Sequence, residues 1–268
     1  MPDYTTSNRL SAIDLARGIA MLGVALVNIH AFAAVWGTPL GLDLAKSTTD
    51  VVAEYIVILL FTHRSYPVLA FLFGVGLAWQ WRRASSAGGT PKALRPRLWA
   101  LLIIGFAHGL LLWPGEILAT YAIVGLVVTH AFLDCDERRA LRWAISALVL
   151  SVTLSALIAW GAAVKPPEPW PVELTGSSFA ASVWSDAQRL RLGEFFSAGL
   201  LQIVALNVWW TTLLGVWAGR TGFLNQFLIA PFANRVVCAV GIVCLIGSAW
   251  IALFFSTRAG WNVRNADW

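Results

Sequence analysis

Residues 105–122, GFAHGLLLWPGEILATYA, set a histidine and a glutamate into chain that is otherwise apolar enough for hydrocarbon, with Trp113-Pro114-Gly115 between them. Proline has no backbone N–H and clashes with the turn before it, so the stretch reads as two apolar helices pinched at one tight turn. His108 and Glu116 then belong to opposite arms of a helical hairpin. This reading places the chain among all-α proteins and makes the hairpin its pattern.

Composition extends the pattern to the whole chain. With 58% hydrophobic residues, 12% charged residues and 15 tryptophans in 268 residues, the sequence is too apolar for an ordinary soluble domain. A membrane-crossing helix needs about 20 mostly apolar residues. Stretches of that kind recur near residues 13–36, 66–82, 98–114, 116–133, 142–164, 196–219 and 235–256. The fold expected is a polytopic helical membrane bundle of about 7 spans, one transmembrane domain over residues 1–268. Two further helices are expected to lie at the membrane surface. Residues 50–62, DVVAEYIVILLFT, carry Asp50 and Glu54 and lead straight into His63 and Arg64, as an interfacial or re-entrant segment before span two would. Residues 177–192 follow a proline cluster with a capping serine and an amphipathic pattern. The start of the chain lacks a cleavage-like small-residue site and reads as a retained first helix.

Charge sets the orientation. RRASSAGGTPKALRPR (82–97) holds five basic residues and no acid, and DCDERRALR (134–142) adds Arg138, Arg139 and Arg142. The positive-inside rule puts both connections in the cytoplasm, which places the N-terminus inside and the C-terminus outside. The net charge of +5 is thereby explained by membrane orientation, without a nucleic-acid partner. Cys135, Cys238 and Cys244 have no metal-ligand spacing, so neither a disulfide framework nor a metal site is expected.

In this orientation His30, His63, Arg64, His108 and Glu116 fall in the outer half of the membrane or at its outer face, whereas His130 sits at the cytoplasmic end of its helix. Ionisable groups within a bilayer cost roughly 2.5–3.5 kcal/mol each and are therefore functional candidates. His108 is the candidate general base, and Glu116 the carboxylate that would orient and stabilise it. A histidine bonded to a neighbouring helix and a glutamate capping the next helix are the plain structural readings. In span one, Arg17 and Asn28 lie within about 20° of each other on the helix, Asp14 shares their face roughly, and His30 points about 140° away. Asp14 and Arg17 also suit an ion pair near the helix start. Gly74 and Gly76 suit close helix packing.

Four stretches carry a resemblance: RLSAIDLARGIAMLGVALVNIHAF (9–32), HRSYPVLAFLFGVGLA (63–78), GFAHGLLLWPGEILATYAIVGL (105–126) and LLGVWAGRTGFL (213–224). In order and spacing they resemble YeiB-like membrane proteins, those usually paired with domain of unknown function 418. That family is similar to the transmembrane acyltransferases, which move an acyl group from cytoplasmic acyl-CoA to an acceptor beyond the membrane. The resemblance implies a bacterial inner-membrane location and a donor site at Arg17, with Asp14 and Asn28 beside it. Asn28 stands where the acyltransferase-3 relatives have a histidine, which moves the role of base to His108, and Glu116 stands where the family has an aspartate. By their place at the outer side, His63, Arg64 and His30 are the further candidates for contact with the acceptor. Members of that family normally continue with more helices, so the resemblance implies either a half-length form without the C-terminal half or a second chain or homo-oligomer that supplies the rest. Acyl-CoA is the co-substrate, with no tightly bound cofactor, and the acceptor is a sugar, lipid or small molecule. A transporter or flippase for an anionic lipid or metabolite, and a non-catalytic subunit of a split complex, are the competing readings.

Overall fold

The computed structural model describes residues 4–33, 61–62, 64–112, 116–164 and 199–224, with short stretches between 47 and 60 and between 184 and 192. Most of these residues are helical, and no strand occurs among them. The main helices are α1 (Tyr4–Ala33), α2 (Ser65–Ser86), α3 (Arg95–Leu111), α4 (Leu118–Ala131), α5 (Glu137–Val164) and α6 (Gly199–Thr221), with a 3-10 turn at Pro91–Leu94. Each falls on an apolar stretch expected to be helical. The boundaries move: α1 and α5 begin well before the apolar run, within polar sequence, because helix propensity continues beyond the hydrophobic stretch. Described positions from 49 to 60 and from 184 to 192 are helical as expected, and the stretch at 235–256 lies outside the described residues.

Proline and glycine punctuate the elements. Pro91 and Pro96 occupy first-turn positions of the 3-10 turn and α3, where a missing N–H costs nothing. Gly88 reverses the chain after α2 at φ 75°, and Gly222 ends α6 at φ 72°, both in the left-handed region glycine favours.

Packing follows the small residues. α6 lies along α2 in the most extensive helix contact of the described residues. The two run parallel: Gly74 sits against the Thr212 carbonyl, Gly215 against the Phe71 carbonyl, and a Cβ on Gly219 would lie 2.9 Å from the Ala78 Cβ. Gly215 and Gly219 form a G-x-x-x-G pair that lets the backbones approach closely. α3 and α4 form the antiparallel hairpin expected from the Trp-Pro-Gly break, with Gly105 against Ala119 and Gly125 against Leu98 and Phe73. α5 packs on α6 through a stripe of small residues, Ala140, Ala144, Ala147 and Ser151. α1 meets α2 in antiparallel sense, with Gly23 beside Ser65 and Phe61, and Gly76 beside Arg17. The shared core is built from Leu77, Leu98, Tyr121, Val124, Val128, Leu133, Val208, Leu213 and Val216.

Up-and-down connection collects the basic residues at one end. Arg97 donates to the Gln80 side chain at 2.6 Å, tying α3 to α2, and Arg95 donates to His130 Nδ1 at 2.9 Å, tying α3 to α4. Because arginine only donates, His130 accepts through Nδ1, as a residue at the helix end. Arg220 closes the same end: it donates to the carbonyls of Cys135 at 2.5 Å and Phe132 at 3.3 Å and lies 5.3 Å from the Trp81 ring. Those carbonyls follow the C-terminus of α4, where a cation is favoured.

Candidate functional site

At the opposite end the α3–α4 hairpin carries His108 and Glu116. His108 lies in the last turn of α3, half-buried, and its Nδ1 is buried with no hydrogen-bond partner. Glu116 lies in the connection, outside both helices, and is only 8% exposed. The N–H of Leu118 donates to its Oε1, and the N–H of Ala119 donates to its Oε2 at 2.9 Å. First-turn N–H groups have no partner within the helix, so the carboxylate satisfies two of them at the positive end of α4. Burial disfavours its charged form, whereas the Ala119 and Leu118 donors and the charge of His108 support it.

The hairpin thus brings His108 and Glu116 within electrostatic reach. Glu116 spends its hydrogen bonds on α4, and no direct hydrogen bond joins it to His108 Nδ1. His108 Nδ1 stays buried and unpaired, and the imidazole bears on the carboxylate through charge.

Asp14 and Arg17 form the expected ion pair, but within α1 and not near its start, because the helix already begins at Tyr4. Arg17 Nη1 pairs with Asp14 Oδ1 at 3.1 Å, one helical turn away, and Arg17 Nη2 donates to the Leu72 carbonyl of α2 at 3.5 Å. The absence of a side chain at Gly76 leaves room for the guanidinium, whose Nη2 lies 3.5 Å from where a Cβ would stand. Arg17 and Asn28 share α1 and are both half-buried. His30 belongs to α1, but its side chain, like the whole of His63, lies outside the described residues. Arg64 precedes α2 and donates to the Thr62 carbonyl at 3.1 Å.

A polar cluster joins four helices where sequence reasoning placed none. Tyr121 Oη of α4 donates to the Tyr66 carbonyl of α2 at 2.5 Å. Asn207 Nδ2 of α6 donates to Tyr66 Oη at 3.4 Å, and Asn207 Oδ1 accepts from Ser151 of α5 and Trp210, each at 3.1 Å. Asn207 within the apolar run IVALNVWW (203–210) was the signal, since a lone polar group there needs interhelical partners.

No protein-family model matches the chain. No solved structure matches it either. It is similar to the uncharacterized protein YxaH of Bacillus subtilis, at 28% identity over 244 residues covering 82% of this chain and 60% of YxaH. It is 37% identical over 130 residues to an uncharacterized 39.9 kDa protein in the amylase 3′ region of Bacillus acidopullulyticus, 48% of this chain and 35% of that protein. With the uncharacterized protein YeiB of Escherichia coli it shares 32% identity over 135 residues, 48% of this chain and 32% of YeiB. The relatives agree with a YeiB-like family at modest identity. The matched part of the chain spans from about a third to 60% of these relatives' lengths.

Proposed function

We propose that the chain is a multi-pass membrane protein that transfers an acyl group from cytoplasmic acyl-CoA to an acceptor on the outer side. Lys92–Leu111 and Glu137–Leu157 are long and apolar enough to cross a bilayer, and 22% of each span's most apolar stretch is buried. A core helix of a soluble protein would be mostly buried instead. Their outward faces carry Ile103, Trp99, Val149 and Val152, all more than half exposed. Such faces suit lipid contact. With the arginines gathered at one end, the positive-inside rule makes that end cytoplasmic and the His108 end external.

The acyl-transfer reading is carried by His108 Nδ1, a buried nitrogen without a protein partner beside a carboxylate. In this reading Nδ1 accepts the proton of an acceptor hydroxyl as its oxygen attacks the thioester carbonyl carbon. The new C–O bond forms, the C–S bond breaks, and coenzyme A departs as thiol after protonation. Glu116 stabilises the imidazolium by charge, and Arg17 holds the donor's phosphates. The deciding experiment measures acyl-CoA binding and free-thiol release by the purified chain. Arg17→Ala is expected to weaken donor binding. Transport of an anionic solute with no acyl-CoA binding and no thiol release would replace acyl transfer by the transporter reading.

A further inference from the structure

We propose that the first three turns of α5 form a binding site for the headgroup of an anionic phospholipid. An open pocket of about 310 Å³ is lined by Arg139, Arg142, Trp143 and Ser146. All four are exposed, and their spacing of three and four residues sets them on one face. The face that packs on α6, Ala140, Ala144, Ala147 and Ser151, lies elsewhere on the helix. Among the described residues no ion pair engages Arg139 or Arg142. The acid nearest in sequence on the same helix, Glu137, lies about half a turn around the axis from this face. Two guanidinium groups therefore present their donors outward, in the geometry that recognises phosphate oxygens.

Lipid is favoured over a free anion by what surrounds the arginines. Trp143 is half exposed, as aromatic residues at a bilayer interface are, with an apolar ring and one N–H donor. Beyond Ser146 the same side of α5 continues with Val149, Leu150 and Leu157, each exposed and apolar. A phosphate at the arginines would thus direct its acyl chains along an apolar helix face. Arg139 and Arg142 lie within about 8 Å of the helix start at 1.5 Å per residue, at headgroup depth when this end is cytoplasmic. The assignment rests on the membrane reading above and is independent of acyl transfer.

Native mass spectrometry of the full chain in zwitterionic detergent, titrated with phosphatidylglycerol or phosphatidylcholine, tests the site. Wild type should retain phosphatidylglycerol in preference to phosphatidylcholine, and Arg139→Gln/Arg142→Gln should weaken that retention roughly tenfold. Arg139→Lys/Arg142→Lys should recover part of it, showing that the glutamine variant failed through charge. Arg82→Gln/Arg83→Gln, at the same end of the bundle, should have little effect. Equal retention by wild type and the Arg139→Gln/Arg142→Gln chain would overturn the site, as would equal losses in both glutamine variants. Displacement of the lipid by inorganic phosphate at matched concentration would overturn the lipid assignment in favour of a soluble anion. Extraction of the wild-type chain from cells by alkaline carbonate without detergent would instead remove the membrane reading on which the site depends.

Discussion

Glu116 does two jobs that substitutions can separate. As an acceptor for the Leu118 and Ala119 N–H groups it holds the start of α4, and in the proposed reaction its charge stabilises the imidazolium formed at His108. Glu116→Ala removes both and should lower stability by about 1 kcal/mol, the usual worth of a helix-capping acceptor, seen as a lower melting temperature in detergent. Glu116→Gln keeps an acceptor oxygen and loses the charge, so it should melt closer to wild type while thiol release slows. A Gln variant as unstable as the Ala variant with normal turnover would assign Glu116 to structure alone. His108→Ala is the sharper change: thiol release should fall by about 10²–10⁴-fold, the usual contribution of a general base, with acyl-CoA binding retained. Unchanged turnover would move the base to another group. His108 and Glu116 were visible in the sequence because each is an ionisable group interrupting an apolar run. The capping of α4 by Glu116 was legible too, as the plain reading of an acid in the turn, but that both carboxylate oxygens would be spent on it was not.

Among the elements, glycine positions separate close packing from open space. Gly74 and Gly76 are two residues apart on α2, and in sequence both suggested close approach between helices. Gly74 meets the backbone of α6 at Thr212, whereas Gly76 faces the end of the Arg17 side chain 3.5 Å away. A methyl group at position 74 has nowhere to go, and one at 76 needs only ordinary contact. Gly74→Ala and Gly215→Ala should each cost about 1–3 kcal/mol, the typical penalty of overpacking, whereas Gly76→Ala should stay near wild type. Thermal unfolding monitored by circular dichroism in detergent compares the three; a Gly76→Ala chain as destabilised as Gly74→Ala would show that α1 presses on α2 as tightly as α6 does. Six helices were legible because each buries or displays an apolar run of adequate length. Their partners were not: Gly74 marked a close approach on α2, but the parallel pairing with α6 joins residues more than a hundred positions apart, and nothing in the spacing named the helix it would meet.

For the molecule as a whole, charge and connectivity point the same way. The C-terminus of α2, the N-terminus of α3, the C-terminus of α4, the N-terminus of α5 and the C-terminus of α6 meet at one end, joined by Arg95, Arg97 and Arg220. Arg82, Arg83, Lys92, Arg138, Arg139 and Arg142 belong to the same connections. Sequence segregation of basic loops thus becomes a spatial segregation, which an up-and-down bundle produces only when every counted helix reverses direction. An odd number of spans misjudged between the basic connections would have scattered these arginines over both ends. On the proposed membrane reading the positive end faces the cytoplasm, so a cysteine replacing exposed Thr90 in the α2–α3 connection should react with a membrane-impermeant maleimide only after the cells are opened. A cysteine replacing exposed Leu112 in the α3–α4 turn should react in intact cells. Both are introduced with Cys135, Cys238 and Cys244 changed to serine. Labelling in the reverse pattern would put His108 on the cytoplasmic side and the arginines outside, leaving Arg17 and the basic end unable to meet a cytoplasmic donor; labelling of both positions from one side would break the α3–α4 hairpin as a pair of spans.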